Sequence, residues 1–148
     1  MSAFERHGLT VTLDDIIAMV EVSSEDAWQV DVVRSADGTR NCFFGHLHAY
    51  GMQLAAHLTD DILPDYLRHT GATAPEWVAT QLWDWFENEW ASTYAIYPVN
   101  DGTNPRYPQP TPRTRVLAYL HALRSGEQLT TFQQMDADFY ADTPQETR

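Results

Sequence analysis

A tryptophan-rich stretch, residues 73–98, constrains the fold of this chain more than any other segment. Four of the five tryptophans lie in it: Trp77, Trp83, Trp85 and Trp90. Thr73 and Glu76 have the spacing of a capping box, and Pro75 falls in the first turn, where a missing N–H costs little. The apolar side chains cover about half of the helix circumference at 100° per residue. The stretch therefore predicts a central helix that packs on two sides.

A β-hairpin is predicted between residues 27 and 44. Residues 27–33 (AWQVDVV) alternate between apolar and polar side chains, which is typical of a half-buried strand. The dipeptide Asp37-Gly38 is typical of a hairpin turn, and residues 40–44 (RNCFF) form the expected return strand. Within that strand Cys42 is predicted to be a buried, inert thiol, because nothing in the local sequence would lower its pKa.

Local signals predict two further helices before the tryptophan-rich stretch. Thr12 is a suitable N-cap for a helix over residues 13–22, although the β-branched residues there also permit a strand. Gly45 ends the predicted return strand, and the apolar spacing that follows it indicates a helix. Pro64 must break or kink that helix, because its ring clashes with the preceding turn.

The remaining chain is predicted to contain a loop, two helices and a tail. Residues 98–112 are too rich in proline for a helix or an inner strand. Thr111 and Pro112 then mark the start of a helix that ends at Gly126. A short helix is expected over residues 130–140, before a frayed tail at residues 141–148.

Together these elements predict one domain, residues 1–148, of the α+β class and mostly helical. We expect a β-hairpin packed on three to four helices around the central Trp-rich helix. The chain has no apolar run of transmembrane length, its first residues lack the layout of a signal peptide, and its single cysteine excludes an internal disulfide. The sequence therefore predicts a cytoplasmic protein.

Charge is the most unusual global property of the chain. Nine basic residues, all arginine, face 21 acidic residues, giving a formal net charge of −12. Generic binding to nucleic acid or to an anionic membrane requires clustered positive charge, which is missing here. Genome composition or salt adaptation would also account for this balance. An acidic surface otherwise fits a basic protein partner, such as one with a nucleic-acid channel.

The acidic residues are concentrated in the middle of the chain, where Arg68 is the one base between residues 60 and 89. We predict that this segment forms a partner-binding face that imitates a row of nucleic-acid phosphates. Trp77 would anchor the interface, since tryptophan is frequent among the residues that dominate binding energy. The predicted partner-binding residues are Asp60, Asp61, Asp65, Glu76, Trp77, Asp84 and Glu87.

Two alternative sites use histidine. Glu89 falls inside the apolar arc of the Trp-rich helix, so it must be paired with Arg113 or Arg115, protonated or placed at an opening. At an opening, Glu89 with His57 or His46 would be a candidate acid–base pair. The second alternative is a metal site formed by His46, His48 and His57, although their spacing matches no metal-binding signature. Neither a cofactor nor a sequence motif for catalysis is predicted.

The sequence therefore favours a non-enzymatic acidic protein that inhibits or neutralises a basic, nucleic-acid-handling partner. Anti-defence proteins of phages and plasmids, and toxin-immunity proteins, act in this way, and this comparison is one of type and not of motif. The alternatives are a small enzyme with the Glu/His pocket and a structural or assembly subunit of a virus particle. Self-association into a homodimer also stays open.

Overall fold

The computed structural model describes residues 3–126 and shows a mixed, mostly helical α+β chain. Within this range five α-helices accompany a two-stranded antiparallel hairpin, which confirms the predicted fold class. The elements are β1 (Phe4–Arg6), β2 (Leu9–Val11), α1 (Leu13–Val22), α2 (Phe43–Leu54), α3 (Ala74–Glu89), α4 (Thr93–Asp101) and α5 (Pro112–Arg124). The predicted helix at residues 130–140 and the tail at 141–148 lie outside the described residues.

The hairpin lies at the beginning of the described chain. Strands β1 and β2 pair so that Phe4 is opposite Val11. His7 and Gly8 form the turn between them, with φ values of 56° and 77°. Positive φ at both central residues matches the twist of the flanking strands, which is why such turns favour glycine. Phe4 and Val11 are both buried, so one face of the hairpin covers the core.

The predicted hairpin between residues 27 and 44 is wrong, although its turn forms. Gly38 N–H donates to Ser35 O at 3.0 Å. The Asp37 carboxylate accepts hydrogen bonds from the hydroxyls of Ser35 and Thr39, and these bonds hold the pKa of that carboxyl well below its usual range. The turn is therefore set by local side chains, as the Asp-Gly pair indicated.

The segments on either side of this turn do not pair as strands because the chain leaves the extended conformation at Asp31. This residue has φ of 72°, and its N–H donates to Asp101 Oδ1 at 3.1 Å. Isolated bridges from Asn41 to Trp28 and to Arg34 replace the expected ladder. The alternating pattern therefore does not mark one buried face, and three of its valines are exposed: Val30, Val32 and Val33.

Three helices begin where the sequence predicted. Thr12 and Thr111 each accept a backbone N–H from the third helical residue, and that residue's side chain accepts the backbone N–H of the threonine. At the start of α3, the Thr73 hydroxyl accepts the Glu76 N–H at 3.3 Å. These bonds satisfy N–H groups that no helical carbonyl reaches, so local chemistry fixes these boundaries.

Helix α2 begins at Phe43, before the predicted start, so Phe43 and Phe44 are helical and not part of a strand. Both are fully buried. Gly45 follows in the first turn, where an added Cβ would overlap the backbone oxygen of Val33. The segment between α1 and α2 therefore packs tightly against the first turn of α2, and only glycine fits at this contact.

Helices α2 and α3 form the main helix pair and run antiparallel. Near the start of α2 the Phe44 ring stacks on Trp83, with centroids 4.6 Å apart. Further along α2, Gly51 lies against Ala79, where an added Cβ would come within 2.9 Å of the Ala79 Cα. On another side of α3 the Phe4 ring of the hairpin meets Trp85 edge-on at 6.1 Å. Helix α3 thus contacts both α2 and the hairpin.

The tryptophan-rich stretch forms two helices and not one. Helix α3 ends at Glu89, and Ser92 caps α4 by accepting the Ala95 N–H at 3.2 Å. Helix α4 continues through Pro98 to Asp101, where residues 98–112 were predicted to be a loop. The loop spans residues 102–111 and starts at Gly102, whose φ of 83° ends the helix. Because Ser92 caps a new helix, α4, that begins before Pro98, the proline falls inside α4.

The other helices complete a continuous core. Helix α5 packs against α1 and α4, and Tyr107 of the loop meets Tyr119 of α5 edge-on at 5.3 Å. Buried apolar residues from the hairpin and all five helices belong to one cluster. Within residues 3–126 none of the helices combines the length and apolar character needed to cross a membrane.

Candidate partner-binding groove

The predicted partner-binding residues lie on α3 and on the segment between α2 and α3. This segment contains two single 3₁₀ turns, Asp60–Ile62 and Asp65–Leu67. The side chains are largely open to solvent: Asp60, Asp61, Asp65, Glu76 and Asp84 are exposed, while Trp77 and Glu87 are half-buried. The structure therefore leaves this acidic region at the surface.

Some of these carboxylates also have structural contacts. Asp60 Oδ1 accepts the N–H of Ala74, the first residue of α3, at 2.9 Å. Asp61 accepts a hydrogen bond from the Thr59 hydroxyl. Glu87 accepts hydrogen bonds from the Trp83 indole N–H and from the Thr93 hydroxyl. Asp60 and Glu87 therefore help to fix the two ends of α3, and a change at either would affect the fold as well as any interface.

Glu76 and Asp84 differ from these residues because neither forms an ion pair within residues 3–126, although Arg6 lines the same groove. Among the predicted carboxylates, Asp65 is the one that forms an ion pair in the described chain, with Arg68 at 3.4 Å on the exposed surface. Such an exposed pair contributes little to stability. Glu76 and Asp84 thus keep their charge available to a partner.

Glu76, Trp77 and Asp84 share one wall of a groove of about 560 Å³. Helix α3 also contributes Thr80 and Gln81 to this wall. The other lining residues come from the segment before α3 and from the hairpin: Arg6, Tyr66, Leu67 and Ala72. The groove combines aromatic surface with two carboxylates, a composition suited to binding a cationic side chain.

The hairpin turn holds Trp77 in place within this groove. The His7 ring lies 5.0 Å from the Trp77 ring, at an interplanar angle of 52°. His7 Nε2–H donates to Gln81 Oε1 at 3.0 Å. Tyr66, which also lines the groove, is 75% exposed. Contacts therefore hold the Trp77 ring in place, while the Tyr66 side chain is open to a partner.

Sequence reasoning identified Glu76, Trp77 and Asp84 but missed Arg6 and Tyr66. Contacts such as the one between His7 and Gln81, which are 74 positions apart, bring the hairpin to α3. No pattern within either segment indicates that they meet. Tyr66 is next to Asp65 in the sequence, so its proximity to the acidic residues was the one available signal.

Arg113 and Arg115 of α5 bind backbone carbonyls, and their predicted pairing with acids of the Trp-rich helix is wrong. Arg115 donates to the carbonyl oxygens of Val99, Asn100 and Gln109 at 2.8–3.0 Å. Burial lowers the pKa of its guanidinium. Arg115 thereby satisfies the last carbonyls of α4, which have no helical partner.

Arg113 has the same role at the end of α1. Its guanidinium donates to Val20 O and Glu21 O and forms an ion pair with Glu25 at 3.3 Å. Because these cations are held on the α1 and α4 side of the molecule, they do not cancel the charge of the groove.

The predicted Glu/His pocket does not form within the described chain. Glu89 is exposed and not inside an apolar arc, because α3 ends at this residue. The His46 ring packs on the Trp28 ring with centroids 4.3 Å apart, and His46 donates to Ala27 O at 2.9 Å. Burial lowers the pKa of His46. His57 is exposed and follows α2, at the opposite end of the antiparallel α2–α3 pair from Glu89.

The predicted metal-binding histidines are also separated. His46 and His48 are two positions apart in α2, so their side chains leave the helix about 200° apart. His57 lies beyond the end of this helix. In the part of the chain that the structure describes, no three His, Cys, Asp or Glu side chains form a group that could hold a metal ion.

Cys42 is buried, as predicted, and lines a small cavity of about 70 Å³ with Tyr97 and Asp101. Burial raises the pKa of this thiol, even though it lies at the start of α2. A buried thiol with a raised pKa is unreactive, because the thiolate is the nucleophilic form.

Comparisons with known proteins provide no functional assignment. The sequence matches no protein family, and neither curated proteins nor solved structures gave a match. The geometry of the groove is therefore the basis for any functional conclusion.

Proposed function

We propose that this protein is a non-enzymatic acidic binding protein that docks on a basic, nucleic-acid-handling partner and inhibits or neutralises it. The observation that carries this proposal is the availability of the Glu76 and Asp84 carboxylates beside Trp77 in one groove. Neither carboxylate forms an ion pair within residues 3–126, although Arg6 lines the same groove, and Arg113 and Arg115 are held by backbone carbonyls.

Electrostatics supports a basic protein as the partner. With a formal net charge of −12, the chain repels nucleic acid and anionic lipid but attracts a positively charged surface. Attraction between opposite charges raises the association rate at low salt and is screened over about 8 Å at physiological ionic strength. The proposed interaction is therefore strongly salt-dependent.

The proposal includes mimicry of a nucleic acid. Carboxylates presented from a rigid helix would occupy the positions of phosphates in the partner's basic channel, and Trp77 would supply the apolar contact of a base. Helix α3 would be the scaffold of this surface, and its contacts with α2 and the hairpin would support the exposed face. The single cysteine favours a reducing compartment, and we assign the interaction to the cytoplasm.

The test is capture of the partner from the native host, followed by titration of the identified protein at 50, 150 and 300 mM salt. We expect affinity to fall by about tenfold or more across this series. Nucleic acid should compete with the acidic protein for the partner. A Glu76→Gln, Asp84→Asn double variant should bind more weakly, while an Asp26→Asn, Glu89→Gln double variant has the same net charge and alters exposed acids outside the groove.

A partner that binds with no dependence on salt and without competition by nucleic acid would contradict the proposal. Turnover of a small substrate by the purified protein would favour the enzyme alternative instead.

A further inference from the structure

We infer that the groove beside α3 is an arginine-recognition site, which receives guanidinium groups from an extended basic segment of the partner. This inference rests on the proposed function and specifies the chemistry of the contact. The groove is expected to bind one kind of ligand, a peptide segment with arginines four residues apart.

The spacing of the two carboxylates sets the spacing of the arginines. Glu76 and Asp84 are eight positions apart on α3, which corresponds to about 12 Å along the helix axis. An extended chain advances about 3.3 Å per residue, so side chains at positions i and i+4 are about 13 Å apart. One arginine can therefore meet Glu76 while the second meets Asp84, with Thr80 between them along the helix.

The aromatic lining favours arginine over lysine. A planar guanidinium stacks on an aromatic ring and donates in parallel to a carboxylate, whereas an ammonium is compact and strongly hydrated. Trp77 lies next to Glu76 on the wall of the groove, and Tyr66 adds a second ring. Since the His7 contact already orients Trp77, this ring loses little freedom when a cation stacks on it.

Arg6 provides a second, independent test because it lines the same groove with the opposite charge. Its guanidinium lies 5.8 Å from the centre of the Phe4 ring, and its side chain is exposed. A cationic ligand in the groove is repelled by Arg6. Removal of this charge should therefore tighten binding, which is an outcome that damage to the fold does not produce.

The experiment measures binding of the full-length protein to a blocked seven-residue peptide, Gly-Arg-Gly-Gly-Gly-Arg-Gly, by NMR of the tryptophan indole N–H signals. A Trp77→Phe variant assigns the Trp77 signal. The comparison peptides replace both arginines by lysine or by citrulline, which is the uncharged analogue of arginine. We expect the arginine peptide to shift the Trp77 signal, the lysine peptide to bind about threefold more weakly, and the citrulline peptide to bind at least tenfold more weakly.

Matched variants separate the groove from general charge attraction. Glu76→Gln with Asp84→Asn should weaken binding of the arginine peptide about tenfold or more, and Asp26→Asn with Glu89→Gln should change it less than twofold. Arg6→Gln should tighten binding about threefold, while Arg40→Gln, an exposed arginine outside the groove, should have little effect.

Two results would overturn the inference. One is equal weakening by both acidic double variants, which would mean that general surface charge attracts the peptide. The other is an unchanged Trp77 signal while a captured basic partner still binds, which would leave the proposed function standing without this groove. Conversely, the peptide could bind in the groove while no basic partner is captured from the native host. That result would support the inference and contradict the proposed function.

Discussion

Asn100 of α4 supplies the cap that α2 lacks. Its Oδ1 accepts the N–H of Phe43, the first residue of α2, at 3.0 Å, while Cys42 at the N-cap position makes no side-chain hydrogen bond to the helix. The Asn100 amide also donates to Gln29 O and to Asp101 Oδ1. One fully buried side chain thus joins α4, the segment before α2 and α2 itself.

The first prediction concerns this link. Asn100→Ala leaves the buried Phe43 N–H without a partner and removes the donor to the part-buried Gln29 carbonyl, so we expect a loss of about 2–3 kcal/mol in the free energy of unfolding. This loss is measured by urea unfolding, with tryptophan fluorescence as the signal. Asn88→Ala is the matched control, because Asn88 is exposed and its amide donates to Asp84 O within the same helix, and it should stay within about 0.5 kcal/mol of the wild type. Equal stability of the two variants would contradict the role given to Asn100.

The second prediction concerns Arg115, which donates to three carbonyl oxygens at the end of α4 and in the following loop. Arg115→Lys keeps the charge, but one ammonium cannot reach all three acceptors. We expect a loss of about 2 kcal/mol in the free energy of unfolding. Arg124→Lys serves as the control, because its ion pair with Asp14 is exposed and contributes about 0–1 kcal/mol. If the lysine variant of Arg115 were as stable as this control, charge alone would be sufficient at that position.

The third prediction tests the contact between α2 and α3. Gly51→Ala would gain about 1 kcal/mol from helix propensity, but its Cβ would lie 2.9 Å from the Ala79 Cα, where the backbone cannot give way easily. We therefore expect a net loss of about 1–3 kcal/mol, as in other overpacked cores. Gln53→Ala, an exposed position on the same helix, should change stability little. A stabilised Gly51→Ala variant would show that the two helices are further apart than described.

The fourth prediction concerns pH and His46. Burial lowers the pKa of His46, so folding favours its neutral form and the unfolded chain binds the extra proton. Its contribution to stability is complete above the unfolded pKa near 6.5 and decreases as the pH falls through that value towards the lower folded pKa. Unfolding by urea at pH 7.5 and pH 5.5 should therefore show acid destabilisation.

Two variants identify the histidine responsible. His46→Gln should reduce the difference in unfolding free energy between the two pH values, because glutamine can still donate to Ala27 O but does not titrate. His57→Gln, at an exposed position, should leave the difference close to that of the wild type. If His57→Gln reduced the difference between the two pH values as much as His46→Gln, burial of His46 would not be the cause of the acid destabilisation.

The sequence by itself determined where several helices begin. Thr12, Thr73 and Thr111 cap helices in the predicted places, and the Asp37-Gly38 turn forms although its strands do not. These features depend on hydrogen bonds between residues a few positions apart, so the residue types and their spacing are sufficient to predict them. The acidic character of α3 is likewise visible in its composition.

Only the tertiary structure decided which segments meet. The His7 ring packs on Trp77, and the hairpin contributes Arg6 to the groove that contains Glu76 and Asp84. Asn100 joins α4 to α2 across 57 positions. The same packing left Glu89 exposed and directed Arg115 to carbonyl oxygens. Such contacts depend on which buried surfaces fit together and on which backbone groups need partners, and neither property can be read from the spacing of residues within one segment.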